Sequence, residues 1–197
     1  MGDKYEVRTA PAEVRVEADL IKVSGYASVF NEETNIGGMF REVIAPGAFK
    51  DAIGRDDVRF LVNHDGLPLA RTKSGTLTLK EDERGLYMET ELDPTDPDVQ
   101  QIVPKMKRGD LDKMSFAFRA SKQEWDDTGD IPLRTIQEAE LFDVSIVNDP
   151  AYAGTEIGLR SLEEYKKEQK AKNFNAAQLR RRLKMNLEAK RLKRTAD

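Results

Sequence analysis

The 197-residue chain has no cysteine and a single histidine. Without cysteine there are no disulfides, thiolate nucleophiles or thiolate metal sites. One histidine alone supplies too few donors for a structural or catalytic zinc of the usual kind. Long apolar runs are missing too: 35% of the residues are charged and 39% apolar. No stretch approaches the roughly 20 apolar residues that cross a membrane, and Met1-Gly-Asp-Lys-Tyr5 lacks the apolar core of a signal peptide. The expectation is a soluble cytoplasmic protein with no metal and no cofactor. What remains for chemistry is a lone imidazole, His64, serving a hydroxyl, or a histidine that packs.

The charge is unevenly spread. Residues 160–197 carry 13 Lys and Arg against 5 Asp and Glu, so the overall −4 divides into a body of −12 and a tail of +8. From Ser161 onward there is neither Gly nor Pro, and Leu179, Leu183 and Leu187 recur at helical spacing among Arg180, Arg181, Arg182 and Lys184. A basic amphipathic helix is expected there, either an interaction arm or a solvated helix balancing an acidic body. The expected division is a lead-in over 1–19, a main domain over 20–158 and the basic helical tail over 159–197.

Along the main domain the two-residue period of strands recurs. Leu20 to Phe30, with Gly25 inside it, reads as a bent strand, and Phe40 to Ile44 as another. Pro46 to Ile53 reads as a short helix with proline in its first turn and Gly54 closing it. Val58, Phe60 and Val62 alternate, and His64 falls in phase with them if the strand continues. Two runs, Gly75 to Lys80 and Gly85 to Leu92, read as a hairpin, and a helix follows, capped by Asp96 and ended by Gly109. Lys113 to Arg119 and Leu141 to Val147 share one design. Met114, Phe116 and Phe118 line one face of the first, and Phe142, Val144 and Ile146 one face of the second. Ser115, Ala117, Asp143 and Ser145 take the opposite faces, as in a barrel whose outer face is covered. Trp125 to Asp130 reads as the turn between them.

A serine hydroxyl is a weak nucleophile unless an imidazole accepts its proton and a third group orients that imidazole. Ser115, His64 and Asp143 are the candidates. Their order along the chain, His, Ser, Asp, matches none of the common hydrolase arrangements, and no Gly-x-Ser-x-Gly elbow is present. Residue types alone do not separate this reading from one in which His64 packs, Ser115 is merely small and Asp143 pairs with an arginine such as Arg119.

Phe40-Arg-Glu-Val-Ile-Ala-Pro-Gly-Ala-Phe49, Asn63-His-Asp65, Met114-Ser-Phe116 and Asp143-Val-Ser-Ile-Val-Asn-Asp-Pro-Ala151 resemble, in order and spacing, the prohead proteases of tailed bacteriophages. That family is similar to the herpesvirus capsid-maturation proteases. The resemblance implies an α+β, mainly β fold, a closed β-barrel surrounded by helices. It implies a serine endopeptidase that cuts the scaffolding segment from the major capsid protein, and cuts itself, inside the immature capsid in the bacterial host cytoplasm. It puts the family's histidine on His64, its serine on Ser115 and an acidic residue, often glutamate, on Asp143, with Glu140 as the alternative carboxylate. Ala117 departs from the glycine the family often has. The tail becomes a docking arm for acidic scaffold or a segment lost on self-cleavage. Self-association would follow the herpesvirus pattern, and neither membrane nor nucleic acid is an expected partner. The alternative is a non-catalytic capsid assembly or scaffolding factor of the same shape.

Overall fold

The computed structural model describes residues 5–10, 15–16, 21–148 and 155–194. In chain order the elements are β1 (Glu6–Ala10), β2 (Arg15–Val16), β3 (Lys22–Val29), β4 (Thr34–Ile36), β5 (Phe40–Ile44), α1 (Lys50–Arg55), β6 (Arg59–Val62), β7 (Asp65–Arg71), β8 (Leu77–Glu81), β9 (Gly85–Glu91), α2 (Pro97–Arg108), β10 (Lys113–Asp126), β11 (Leu133–Val147) and α3 (Thr155–Arg194). The fold is mixed α+β and mainly sheet. Two compact units are distinguished, Met1–Ile157 and Gly158–Asp197. Among the described residues no helix is long and apolar enough to cross a membrane.

The first unit is organised by β10 and β11, an antiparallel pair that extends past the alternating segments visible in the sequence. Trp125 and Asp126 still pair, with Arg134 and Leu133, so the turn expected over Trp125–Asp130 starts later. β1 pairs with the free side of β10. β11 takes two parallel partners in separate blocks: β5 along Leu133–Ile136 and β6 along Asp143–Ile146. With β4 beside β5 and β7 beside β6, this makes seven strands; β2, β3, β9 and β8 form a second sheet of four. No closed barrel is found among the described residues. On the edge away from β10, between its two parallel blocks, β11 meets no strand among the described residues, and the connection through α1 fills the space, with Ala139 N–H bonded to the Ala48 carbonyl and Leu141 N–H to the Asp56 carboxylate.

Apolar side chains of both sheets meet in one core. Phe60, Met114, Phe116, Phe118, Ile136, Val144 and Ile146 face Val23, Leu79, Leu86 and Met88, with Val99, Ile102, Val103 and Met106 added by α2. Each fully buried side chain of this size contributes about 1.5–3 kcal/mol. Phe142 is an exception to the expected alternation. A bulge sits where Ala117 pairs with Asp143 but Phe118 pairs with Leu141, so Phe142 is the extra residue. Leu141 takes the place in the core, and Phe142 packs on Tyr5 with its ring centroid 5.6 Å away.

The helix expected over Pro46–Ile53 begins later, at Lys50, and Gly54 lies inside it. Gly47 has φ of 91°, and the Gly47 and Phe49 N–H groups donate to the Glu81 carboxylate at 2.7 and 3.0 Å, which holds this stretch as a turn. α2 follows expectation: Asp96 accepts from Asp98 N–H, Pro97 opens the helix and Gly109 ends it in the left-handed region.

The lead-in holds a surprise in Glu6 and Arg8, both almost fully buried in β1. Arg8 Nε donates to Glu42 at 2.6 Å and its Nη2 to Glu6 at 2.7 Å; Arg134 Nη1 bridges Glu6 at 2.6 Å and Glu42 at 2.8 Å. Two guanidinium and two carboxylate groups thus form a neutral buried quartet, the form in which buried charge is tolerated. The Glu6 and Glu42 carboxylates outweigh the strong desolvation of Arg134 and hold its pKa above the ordinary arginine value.

In the second unit α3 continues to Arg194. Leu179 and Leu183 are 58% and 54% exposed. The side chain of Leu187 lies outside the described residues.

Candidate active site

His64 is not the next residue of a strand. β6 ends at Val62, which pairs with Asp65 of β7, so Asn63 and His64 are the two central residues of a tight hairpin turn with φ of 52° and 59°. Such a primed turn suits the twist of its flanking strands and favours Asn and Gly. A histidine there costs about 1–2 kcal/mol in backbone strain. Three bonds to β11 and its end hold the turn in place. Asn63 N–H donates to the Ile146 carbonyl at 3.0 Å, His64 N–H to Ser145 Oγ at 3.2 Å, and Asn148 N–H to Asn63 Oδ1 at 3.3 Å. Strain of this kind persists only where the surroundings over-determine it.

The ring of His64 therefore does not follow the valines. It reaches back over the face of β10 and β11 opposite the core. Along that face the register sets Thr9, Ser115 and Ser145 side by side on three successive strands, with Ala117 opposite Asp143 in the next row. His64 Nε2 is 2.7 Å from Ser115 Oγ, and His64 Nδ1 is 2.6 Å from Asp143 Oδ1. The three expected residues are brought together from a turn and two neighbouring strands. All three are nearly closed to solvent, with side-chain exposure of 9% for His64 and 6% for Asp143, and none for Ser115.

Glu140 points to other contacts. It accepts from Arg119 Nη1 at 3.3 Å, and the arginine considered as a partner for Asp143 is thereby directed to Glu140. The carboxylate at the imidazole is that of Asp143.

Ser145 is a member that residue-type reasoning passed over. It donates to Asp143 Oδ1 at 2.8 Å while accepting from His64 N–H. One hydroxyl thus fixes both the carboxylate and the backbone that carries the imidazole. The available signal was its position two residues from Asp143 on the same strand face.

With its Nδ1–H on Asp143, a neutral imidazole presents the unprotonated Nε2 lone pair to Ser115, the tautomer that accepts a serine proton. Ser115 Oγ has a second neighbour, however. It donates to the Arg8 carbonyl at 2.7 Å. A carbonyl can only accept and a hydroxyl has one proton, so donation to Arg8 and donation to His64 exclude one another. While the proton is on Arg8, contact at 2.7 Å with His64 requires Nε2 to carry hydrogen.

A family profile described as caudovirus prohead serine protease matches residues 5–168. A prohead protease of Enterobacteria phage HK97 is 34% identical over 133 residues, covering 64% of this chain and 54% of that protein. The chain therefore spans about half the length of that curated relative. Among solved structures, that of the bacteriophage T4 capsid assembly protease matches 75% of this chain and 98% of its own, with a TM-score of 0.49 and 9% identity.

Proposed function

Because the chain belongs to the caudovirus prohead serine protease family, we propose that it is a serine endopeptidase of capsid maturation, with Ser115 as nucleophile, His64 as general base and acid, and Asp143 as the group that orients the imidazole. The reading rests above all on one ring that lies 2.7 Å from a serine hydroxyl on one side and 2.6 Å from a carboxylate on the other.

In the reaction His64 Nε2 takes the Ser115 proton as Oγ adds to the carbonyl carbon of the scissile peptide. The imidazolium is stabilised by Asp143, then passes its proton to the leaving amine, and the carbon–nitrogen bond breaks to leave an acyl ester on Ser115. Water, deprotonated by the same nitrogen, hydrolyses the ester and restores the serine. Substrates in this reading are the scaffolding segment of the major capsid protein and the protease chain itself, cut within the immature capsid in the infected host. The +8 tail serves to dock the enzyme on acidic scaffold.

The test is Ser115→Ala, produced together with the capsid protein. The substitution removes one oxygen and keeps the strand. The expected result is a folded protein with capsid processing reduced by about six orders of magnitude, to undetectable levels. A folded mutant that still processes capsid protein would overturn the assignment.

A further inference from the structure

Partway along α3 two properties change at the same place. From Arg160 to Glu168 the chain carries three bases and three acids, whereas between Glu168 and Glu188 it carries six Lys and Arg and no acid. Exposure changes there too. Leu162 is 5% exposed and Tyr165 and Gln169 are half-buried, but every described side chain from Lys170 to Lys184 is exposed. Counted in alternating steps of three and four, Leu162, Tyr165 and Gln169 lie on the same stripe of the helix as Ala176, Leu179 and Leu183. The stripe is thus covered at its start and bare farther on, where Leu179 and Leu183 are 58% and 54% exposed. Ala176, Ala177, Gln178 and Leu179 are strong helix formers, which favours the helix where no packing supports it.

Resting on the reading of the tail as the dock for acidic scaffold, we propose that Leu179 and Leu183 are the seam of that dock. Its occupant is an acidic amphipathic helix of the scaffold segment, laid along α3 with its carboxylates on Arg180 and Arg182.

A stripe built on alternating steps of three and four is the narrow seam of paired helices, whereas a helix lying on lipid presents a broader apolar face. Arg180 and Arg182 flank the two leucines, one on each side, at the positions that set partner choice in such a seam. Two copies of this chain would bring together stretches that are basic throughout, which disfavours self-pairing. Nucleic acid would neutralise the arginines and leave both leucines in water. An acidic helix answers both features: it takes the leucines out of water and gives the guanidinium groups charge-assisted hydrogen bonds.

The experiment uses the full-length chain with Ser115→Ala to prevent self-cleavage. One variant adds Leu179→Gln and Leu183→Gln, another Arg180→Gln and Arg182→Gln; all four residues are exposed, so the fold is not at stake. The probe is a fluorescein-labelled peptide of about four heptads with leucine at the seam positions and glutamate beside them. A twin peptide carries lysine in place of glutamate. Anisotropy reads binding, and the amount of protease in immature capsids assembled with the capsid protein reads packaging. The parent should bind the acidic peptide and not the basic one. The leucine variant should bind about tenfold more weakly or worse. The arginine variant should lose about tenfold at low salt and less at high salt, and both should be packaged poorly. Loss in the arginine variant with none in the leucine variant, for peptide and packaging alike, would overturn the seam and leave docking by charge standing. Normal packaging of both, and of a chain carrying all four substitutions, would overturn the seam and the docking role of the tail together. Dimerisation of the parent alone through the two leucines, read by sedimentation, would make the occupant a second copy and overturn the acidic partner.

Discussion

Over Met114–Phe118 of β10 and Asp143–Val147 of β11, the two faces of the ladder are both closed to water, yet they hold opposite kinds of residue. On one, Phe116, Phe118, Val144 and Ile146 pack in the core without a polar atom. On the other, Ser115, Asp143 and Ser145 are at most 4% exposed, and Ser115 Oγ, Asp143 Oδ1 and Ser145 Oγ are each hydrogen-bonded. Burial on the first face is stabilising in itself. On the second it is tolerated because these groups hydrogen-bond one another, since an unpaired buried polar group costs about 1–3 kcal/mol. The same shielding raises the worth of each charge and dipole at the site. In the proposed mechanism one face supplies stability and the other chemistry, so substitutions should divide cleanly between them.

After Ser115→Ala, the largest effect is expected at Asp143→Asn. Shape is kept, but the amide no longer stabilises the imidazolium or enforces the Nδ1–H tautomer. Peptidase kcat should fall by about four orders of magnitude, with the thermal unfolding curve barely moved. Equal losses in activity and stability would mean that the chemical face also holds the fold together.

Next comes Phe116→Ala, one residue from the proposed nucleophile but on the other face. Its ring stacks on Phe118 at 4.9 Å and meets Phe49 edge-on at 5.5 Å. Removing it should cost about 3–5 kcal/mol of stability by denaturant titration. The folded fraction should keep its kcat. A stable Phe116→Ala protein would show that the core tolerates the cavity and that the contrast between faces is weaker than drawn.

Ser145→Ala should sit between these extremes. It takes the acceptor from His64 N–H and the donor from Asp143 Oδ1, loosening a turn that holds two residues at positive φ. A loss of about 10- to 100-fold in kcat is expected, equivalent to about 1–3 kcal/mol, with KM unchanged because Ser145 touches no substrate in the proposed mechanism. A change in KM alone would assign Ser145 to substrate binding.

How far these features could be read from the chain depended on whether their cause was local. The strands of the hairpin Gly75–Leu92 and the faces of Lys113–Arg119 follow from residue alternation, which needs no distant partner. β1 was illegible because Glu6 and Arg8 look like solvent-facing residues until Glu42 and Arg134, far along the chain, supply their partners. β7 was missed for a different reason. Gly66 and Pro68 interrupt its pattern, and most of its residues are exposed. Phe142 left the core through a bulge, which shifts the phase by one residue without any change in composition. His64 itself was legible as the lone imidazole, but its turn was not. The Val58–Val62 alternation gave no sign of ending, and only the bonds to Ile146 and Ser145 explain why it does.

The smallest effect is expected at Glu140→Gln, and it is the sharpest control for the comparison. Glu140 lies three residues before Asp143 on the same strand and also ends in a carboxylate. It pairs with Arg119 at 3.3 Å, and the Glu140 and Arg119 side chains are 39% and 42% exposed. Pairs so exposed contribute about 0–1 kcal/mol. The substitution should leave kcat and KM unchanged and shift stability by less than about 0.5 kcal/mol. Asp143→Asn and Glu140→Gln apply the same chemical change to two neighbouring carboxylates. A four-order difference in kcat between them isolates contact with the imidazole as the cause. Equal losses would mean that negative charge near this end of β11 acts at a distance, and the contact at 2.6 Å between Asp143 and His64 would lose its special standing.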